Sequence, residues 1–368
     1  MQSPCPPFYK VMKGPLTSFP VINTKVSGLT QKFDLTDPKQ RKEYFQVKVG
    51  TEIEKIKKYM EDGTFIAYLL GKKNSGKGTY TKLMAEIFGA DKIGHISVGD
   101  LVRTTYKDIQ DEKKREVIID YLKVHYRGYI SIEDAIDALV GKNQAVLLPT
   151  EFIMALVKRE MDKYDGKAIF IDGFPRDLDQ VQYSLYFRDL VDYRLDPDMF
   201  VAISIPESVI DERMRNRVVC PKCQAPRNLT VFPTKEVGYD SESKKYYLKC
   251  DNPACDGERM TGKEGDDAGI ESIRERLTLD DKLSEKVMSL HGIPKILLRN
   301  AVPVTSAGEV DTYELTPRYI FKHDDAGKVT VTEEPWVIKD DEGADSYSLL
   351  APPVVVALIK QLVKALEL

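Results

Sequence analysis

Several features that define other classes of protein are scarce in this sequence of 368 residues. It contains one tryptophan, four histidines and five cysteines, and its 54 basic residues do not outnumber its 58 acidic residues. The resulting net charge of −4 argues against a protein that coats nucleic acid. Apolar residues make up 42% and charged residues 30%, which excludes wholesale disorder and predicts two or three folded units at this length.

Long hydrophobic runs are also missing. The longest nearly unbroken apolar run, at 349–359, is too short to cross a bilayer and is interrupted by Pro352 and Pro353. The first residues contain no basic segment followed by an apolar core, so no secretory signal is expected. We therefore expect a cytoplasmic protein that has neither a membrane nor a nucleic acid as its partner.

The few cysteines are unevenly placed. Cys5 stands alone, whereas Cys220 with Cys223 and Cys250 with Cys255 form two tight pairs. Disulfides are rare in a reducing compartment, where paired cysteines usually hold a metal ion. Both spacings lie within the range that lets two thiolates face one tetrahedral ion, and a site of four sulfurs leaves no open position for a substrate. The pattern predicts a structural zinc site, with four free thiols as the alternative.

Strand and helix patterns alternate along most of the chain. Short apolar runs typical of buried parallel strands occur at 65–70, 168–171, 199–203 and 295–298, with a weaker candidate at 336–338. Helical patterns occur at 37–60, where Gly50 interrupts the pattern, and at 151–164, 178–190, 207–217, 268–290 and 354–367. This alternation predicts a parallel sheet with helices on both faces. Two segments interrupt it, a polar helical one at 101–150 and the cysteine-bearing one at 218–267.

A glycine-rich loop follows the first strand directly. Residues 71–79 read GKKNSGKGT, and a helical pattern starts immediately afterwards. Gly71 and Gly76 allow the backbone to wrap around an anion, and Lys77 supplies a positive charge for the β- and γ-phosphates. Gly78 stands where the general pattern has a Ser or Thr that holds Mg²⁺, and Thr79 lies one residue further on. The order of strand, loop and helix predicts a phosphate-binding site rather than a basic surface turn.

The form Gly-Lys-Gly-Thr resembles the phosphate loop of adenylate kinases, and further motifs of that family follow in order. They are HISVGDLVR at 95–103, LPTE at 148–151, IDGFPR at 171–176 with Gln180, RMRNR at 213–217, and DD at 266–267 followed by RER at 274–276. The matching segments run from about residue 65 to about residue 304, which is roughly two thirds of the chain. The sequence is therefore identified as similar to the adenylate kinase family of nucleoside monophosphate (NMP) kinases.

This resemblance implies an α/β fold, a P-loop NTPase core whose parallel sheet is flanked by helices. A helical NMP-binding insertion and a four-cysteine zinc lid would be added to that core. The implied division is an N-terminal extension at 1–62, core segments at 63–100 and 151–217, the NMP-binding insertion at 101–150, the zinc-binding lid at 218–267, and core completion with a C-terminal extension at 268–368.

The resemblance also implies an activity. We expect reversible phosphoryl transfer from MgATP to AMP, with ATP and AMP as the partners, Mg²⁺ and a structural Zn²⁺ as the metals, and a monomeric protein. A kinase for UMP or CMP is one alternative. A protein that senses adenine nucleotides with little turnover is another.

Individual residues take roles from the same resemblance. The expected catalytic residues are Lys77, Asp172, Arg176, Arg213, Arg217 and Arg276. ATP is expected to bind Gly71, Ser75, Gly76, Lys77, Gly78, Thr79, Tyr80, Arg213 and Arg217. AMP is expected to bind Val98, Arg103, Gly173, Arg176, Gln180 and Arg276, and the Mg²⁺ hydration shell is expected to contact Asp100 and Asp172.

The chain departs from the family pattern at several places, among them a longer spacing between the segment at 95–103 and Glu151. Lys73 and Asn74 stand where relatives commonly carry Pro-Gly, and Val98 replaces a frequent Thr or Ser. Glu264 and Gly265 lie where relatives often place a lid arginine. These departures bear on turnover and acceptor choice more than on the fold.

Overall fold

A computed structural model describes residues 19–141, 148–175, 196–263, 265–324 and 327–368. At its centre lies a five-stranded sheet in the order β10-β4-β1-β3-β2, in which every neighbouring pair of strands is parallel. The strands are β1 (Ile66–Gly71), β2 (Ile93–Ser97), β3 (Ala168–Asp172), β4 (Asp198–Ser204) and β10 (Lys295–Arg299). The predicted parallel sheet and P-loop fold class are confirmed.

Helices cover both faces of this sheet. Because side chains alternate along a strand, Ala67 and Leu69 of β1 face one layer while Tyr68 and Leu70 face the other. The first layer contains α1 (Pro38–Tyr59), α2 (Lys77–Phe88) and α9 (Ala351–Ala365). The second contains α3 (Val98–Asp108), α6 (Thr150–Met161) and α8 (Arg274–Met288). Burial on both faces explains why the strands read as unbroken apolar runs.

The helix α1 belongs to the core although it lies in the N-terminal extension. The Asp37 side chain accepts from the N–H groups of Lys39 and Gln40, which fixes the start of the helix. Val49 has non-helical dihedral angles and kinks α1, which confirms the interruption predicted near Gly50. Its buried face packs against α9 and α2, so the two ends of the chain close one side of the molecule together.

A largely buried polar cluster joins α1 and the residues before it to residues 311–314. The Lys48 ammonium lies 2.7 Å from an Asp311 carboxylate oxygen and 3.5 Å from a Glu314 carboxylate oxygen. The Tyr44 hydroxyl donates to Glu314 over 2.6 Å, and the Thr24 hydroxyl donates to the other Glu314 oxygen over 2.5 Å. Each buried charge therefore has a partner of opposite sign or a hydrogen-bond donor, as burial of charge requires.

The segment after β2 is helical, as its pattern predicted. After α3 come α4 (Glu112–His125) and α5 (Ile132–Leu139), and α6 returns the chain to the sheet. Ile118, Leu122, Ile136 and Phe152 form a small core of their own between these helices. The insertion is thus packed as a unit at the edge of the sheet that ends in β2.

Two further regions are antiparallel. After α7 (Glu207–Arg215), the cysteine-bearing segment contains a three-stranded sheet of β5 (Arg217–Val219), β6 (Pro226–Asn228) and β9 (Thr261–Gly262), and a hairpin of β7 (Val237–Asp240) and β8 (Lys245–Leu248). The C-terminal segment contains a sheet of β11 (Ala301–Pro303), β14 (Val337–Lys339) and β15 (Asp345–Ser348), and a hairpin of β12 (Pro317–His323) and β13 (Val329–Pro335). The strand expected near residue 337 exists as β14, outside the parallel sheet.

None of the helices in the described part of the chain combines the length and the apolar character that a bilayer span needs.

Candidate active site

The glycine-rich loop connects β1 to α2 in a conformation that only glycine allows at two positions. Gly71 has a φ of 146° and Gly76 a φ of 98°. A Cβ atom on Gly71 would lie 2.7 Å from the Ile203 carbonyl oxygen of β4, so a larger residue cannot fit there. Gly76 precedes α2, and no side chain within the described residues caps this helix start. The first N–H groups of α2 are therefore left for an anion.

Lys77 lies folded back over this loop. Its ammonium donates to the carbonyl oxygens of Gly71, over 2.7 Å, and Lys72, over 3.1 Å. The Asp172 carboxylate, at the end of β3, lies 3.8 Å from the same ammonium because β3 is the neighbour of β1. His95 of β2 is close by, and burial lowers its pKa although Asp172 and Asp100 partly offset that effect. A lysine and a carboxylate thus share one end of the sheet.

Two arginines approach the loop from the other side. Arg213 of α7 donates to the Asn74 carbonyl oxygen over 3.2 Å and to the Asn300 side-chain oxygen over 3.4 Å. Arg217 of β5 donates to the Asn74 side-chain oxygen over 3.4 Å and makes two bonds with the Asp266 carboxylate, of 2.5 and 2.7 Å. Burial lowers the pKa of Arg213, but a guanidinium stays protonated at neutral pH.

Arg276 stands in the first turn of α8. Its Nε donates to the Asp280 carboxylate over 2.9 Å. Burial raises the pKa of Asp280, and the charges of Arg276 and Lys77 oppose that rise. Asp280 therefore lies within electrostatic range of both Arg276 and the loop lysine.

The remaining loop residues predicted to bind ATP differ in exposure. Ser75 is wholly buried, and its hydroxyl has no hydrogen-bond partner within the described residues. Tyr80 is buried as well, and its hydroxyl accepts from the Asn300 amide over 3.0 Å, while burial raises its pKa to about 12. Thr79 is exposed and Gly78 partly so, on the first turn of α2.

The residues predicted to bind AMP are only partly described. Val98 is fully buried at the start of α3, and Gly173 follows β3 with a φ of 85°. Arg103 is exposed and pairs with Asp100, one turn earlier on the same helix. Of the other three predicted residues, Arg276 stands in α8, and Arg176 and Gln180 lie outside the described residues.

Sequence reasoning missed Lys72, the residue that follows Gly71 in the loop. It is buried, with its ammonium 3.1 Å from Glu207, 3.4 Å from Asp281 and 3.4 Å from Asp341. Burial by itself lowers the pKa of Lys72, but these carboxylates raise it, so the lysine stays charged. They also line a cavity of about 380 Å³ beside the loop. Asp341 lies far along the chain, so no local sequence pattern could have revealed this pairing.

The four paired cysteines converge in the antiparallel segment. Cys220, Cys223, Cys250 and Cys255 place their sulfur atoms within 4.8 Å of one another, and Cys223 lies 3.6 Å from Cys250. In a tetrahedral zinc site with Zn–S bonds of about 2.3 Å, neighbouring sulfurs are about 3.8 Å apart. The Ala225 N–H group is the main cause that lowers the Cys223 pKa to about 6, so one thiolate forms readily. The cluster has the four thiol ligands that such an ion needs.

Comparisons with known proteins agree with this arrangement. A family model described as an AAA domain matches residues 70–219. The adenylate kinase of Thermotoga maritima is 33% identical over 174 residues, which cover 46% of this chain and 67% of the relative. The adenylate kinase of Clostridium botulinum is 30% identical over 215 residues (58% and 80%), and that of Thermotoga neapolitana is 28% identical over 237 residues (64% and 89%).

Proposed function

The chain belongs to the adenylate kinase family, and from this premise we propose that it catalyses the reversible reaction of ATP and AMP to two molecules of ADP. It is a phosphotransferase, a nucleoside monophosphate kinase with a P-loop core. In the proposed reaction a phosphate oxygen of AMP attacks the γ-phosphorus of ATP. The bond between that phosphorus and the oxygen that bridges the β- and γ-phosphates breaks, and ADP leaves.

One observation carries this proposal, the convergence of three cations on the phosphate loop. Lys77 is held at Gly71, and Arg213 and Arg217 are both held at Asn74. Phosphoryl transfer needs little covalent help from a protein, because positioning and charge neutralisation supply most of the catalysis. We therefore assign Lys77, Arg213 and Arg217 to the ATP phosphates, with the N–H groups of residues 71–80 around them.

Mg²⁺ would lie beside Asp172. When it is bound with ATP, Mg²⁺ neutralises charge on the β- and γ-phosphate oxygens. Mg²⁺ prefers oxygen ligands and keeps several waters, and the Asp172 carboxylate at the end of β3 is an oxygen donor near Lys77. Asp100, in the first turn of α3, is the second carboxylate that we assign to its water shell.

The acceptor would occupy the side of the site bounded by α3 and the residues after β3. Arg103 and Arg176 are assigned to the AMP phosphate, because a planar guanidinium pairs with phosphate oxygens through two bonds. Val98, Gly173 and Gln180 are assigned to the remainder of AMP, and Arg276 to the phosphate that is transferred. The current ion pair of Arg103 with Asp100 would have to open for this contact.

The cysteine cluster would hold one structural Zn²⁺. The surrounding segment at 218–267 has only a small apolar core, which includes Leu248 and Met260. A small unit of this kind gains stability from a metal ion because the free energy of metal binding is also free energy of folding. We propose that this segment is the lid that closes over ATP and excludes water, in a cytoplasmic, monomeric enzyme.

The decisive test is a coupled assay with ATP and each of AMP, GMP, CMP and UMP. We expect ADP formation with AMP at a higher kcat/KM than with any other acceptor. A preference for UMP or CMP would mean that the acceptor is a pyrimidine nucleotide, while the reaction would still be phosphoryl transfer to a nucleoside monophosphate. Nucleotide binding without turnover for every acceptor would instead favour a nucleotide-sensing protein.

A further inference from the structure

Asn74 stands at the one non-glycine position of the phosphate loop whose backbone is left-handed. Its φ is 66°, a region that residues with a side chain rarely adopt and that Asn and Gly tolerate best. Glycine would adopt this conformation at least as easily. The backbone conformation therefore does not explain why a side chain is present here.

The contacts of Asn74 offer an explanation. Its main-chain carbonyl oxygen accepts from Arg213, and its side-chain oxygen accepts from Arg217. The two arginines come from different elements, α7 and β5, and any residue at this position would provide the carbonyl. Only the side chain distinguishes Asn74 from glycine, and that side chain contacts Arg217.

The other half of the carboxamide is unpaired. The Asn74 Nδ2 atom is buried and has no acceptor within the described residues. A buried donor without an acceptor destabilises a protein. The side chain therefore contributes little to the stability of the loop. Its contact with the Arg217 guanidinium favours a role in placing that group.

We infer that Asn74 is a positioning residue, whose side chain holds Arg217 against the phosphate loop so that this cation already lies beside the loop when the triphosphate arrives. The inference rests on the phosphoryl-transfer function proposed above. Asp266 alone would hold Arg217 through its two bonds but would direct it only toward the end of the lid segment. Asn74 supplies the contact that orients the same group toward the loop, which reduces the ordering cost of binding.

The test is a double-mutant cycle with Asn74→Gly, Arg217→Ala and both changes together. Asn74→Gly keeps the left-handed backbone and the carbonyl contact with Arg213, and it removes only the side chain. The cycle is repeated with Arg213→Ala in place of Arg217→Ala as the matched control. MgATP affinity is measured by titration calorimetry, KM for ATP and for AMP by steady-state assay, and the folded state by thermal unfolding.

We expect Asn74→Gly to weaken MgATP binding about 3- to 10-fold, the range of one lost hydrogen bond, and to leave KM for AMP within about 2-fold. The loss should vanish in the Arg217→Ala background and persist in the Arg213→Ala background, because only Arg217 contacts the side chain. The melting temperature should stay close to that of the wild type, which a merely structural role would not predict.

Two outcomes would overturn the inference. One is MgATP affinity of Asn74→Gly within about 2-fold of wild type, and the other is a loss of equal size in the Arg217→Ala background. A different result would contradict the proposed function: wild-type protein that binds MgATP but transfers no phosphoryl group. In that case the double-mutant cycle on MgATP affinity still tests the role of Asn74. Wild-type protein that does not bind MgATP would overturn both.

Discussion

The ring of Tyr239 lies stacked on the imidazole of His323, with the ring centroids 3.6 Å apart and the planes 15° from parallel. Tyr239 belongs to the hairpin of the cysteine-bearing segment and His323 to the C-terminal hairpin. The Tyr246 hydroxyl lies 3.0 Å from His323 Nδ1, and the Tyr319 N–H donates to the Thr230 carbonyl oxygen over 2.7 Å. The C-terminal segment thus supports the proposed lid from one side.

Removal of this support should loosen the hairpin β7–β8. We expect His323→Ala to increase amide hydrogen exchange in 237–248 by several-fold, because local opening follows the loss of packing contacts. Exchange measured by mass spectrometry gives the result directly. Lys322→Ala, a change at the exposed neighbouring residue, is the control and should leave exchange unchanged; equal exchange in both variants would contradict the supporting role.

The loop lysine should be indispensable for turnover. Lys77→Ala is expected to lower kcat/KM by about 10²-fold or more, because it removes a positive charge preorganised for the phosphate oxygens. Arg176→Ala should have a similar effect. Lys82→Ala, at an exposed position on α2, is the control for loss of a lysine on that helix. Activity of either of the first two variants within a few-fold of wild type, with the fold intact by circular dichroism, would refute the assigned site.

The cysteine cluster should bind one zinc ion per chain. Metal analysis of anaerobically purified protein is expected to give about one equivalent, and Cys250→Ser should remove most of it. Chelation should lower the melting temperature of the lid segment while the parallel sheet stays folded, because the sheet does not depend on the metal. Cys5→Ser should leave the metal content unchanged. Much less than one equivalent in the wild type would exclude the site.

Gln180 should determine the preference for adenine. Its amide offers one acceptor and two donors, which can pair with the ring nitrogen and amino group of adenine. We expect Gln180→Ala to reduce the preference for AMP over CMP and UMP by about 1–3 kcal/mol in kcat/KM, with KM for ATP nearly unchanged. Equal or better use of a pyrimidine acceptor by the wild type would show that Gln180 does not recognise adenine.

The ion pair between the partly buried Asp311 and the buried Lys48 should make stability depend on pH. Burial alone raises the Asp311 pKa, but hydrogen bonds and charges of Lys25 and Lys48 lower it below its ordinary value of 3.8. A carboxyl with a lower pKa in the folded state adds stability above its unfolded pKa, and this stability disappears as pH falls through the folded pKa. Asp311→Asn should therefore lower the free energy of unfolding by about 1–3 kcal/mol near pH 7.

The difference in the free energy of unfolding between wild type and Asp311→Asn should shrink as the pH falls below about 4, because the Asp311 carboxyl then becomes protonated and loses its charge. Urea unfolding at about pH 7, about pH 5 and about pH 3 measures it. Asp345→Asn, which breaks an exposed ion pair with Lys339, is the matched control and should cost about 0.5 kcal/mol or less. A difference that stays constant across this range would contradict the pairing.

Most of the catalytic core could be predicted because its signals are local. The strand at 66–71, the loop glycines and the helix after them are adjacent in the chain, so their order alone indicates a phosphate site. The short spacings within the two cysteine pairs indicated a metal cluster in the same way, and the structure brings all four sulfurs together. The antiparallel strands of the C-terminal segment were mostly missed, because short exposed strands lack a strong apolar pattern.

The sequence by itself determined the phosphate loop, the parallel sheet around it and the convergence of the cysteines, since each depends on residue types at short, regular spacings. Only the tertiary structure decided the contacts between distant segments: Lys72 with Asp341 and Arg217 with Asn74 at the phosphate loop, and His323 with Tyr239 between two hairpins. The partners in each pair lie between 84 and 269 residues apart. Residues so far apart in the chain leave no periodic pattern in the sequence that would reveal their contact. The contact forms only after the sheet and the packed helices have brought distant segments together.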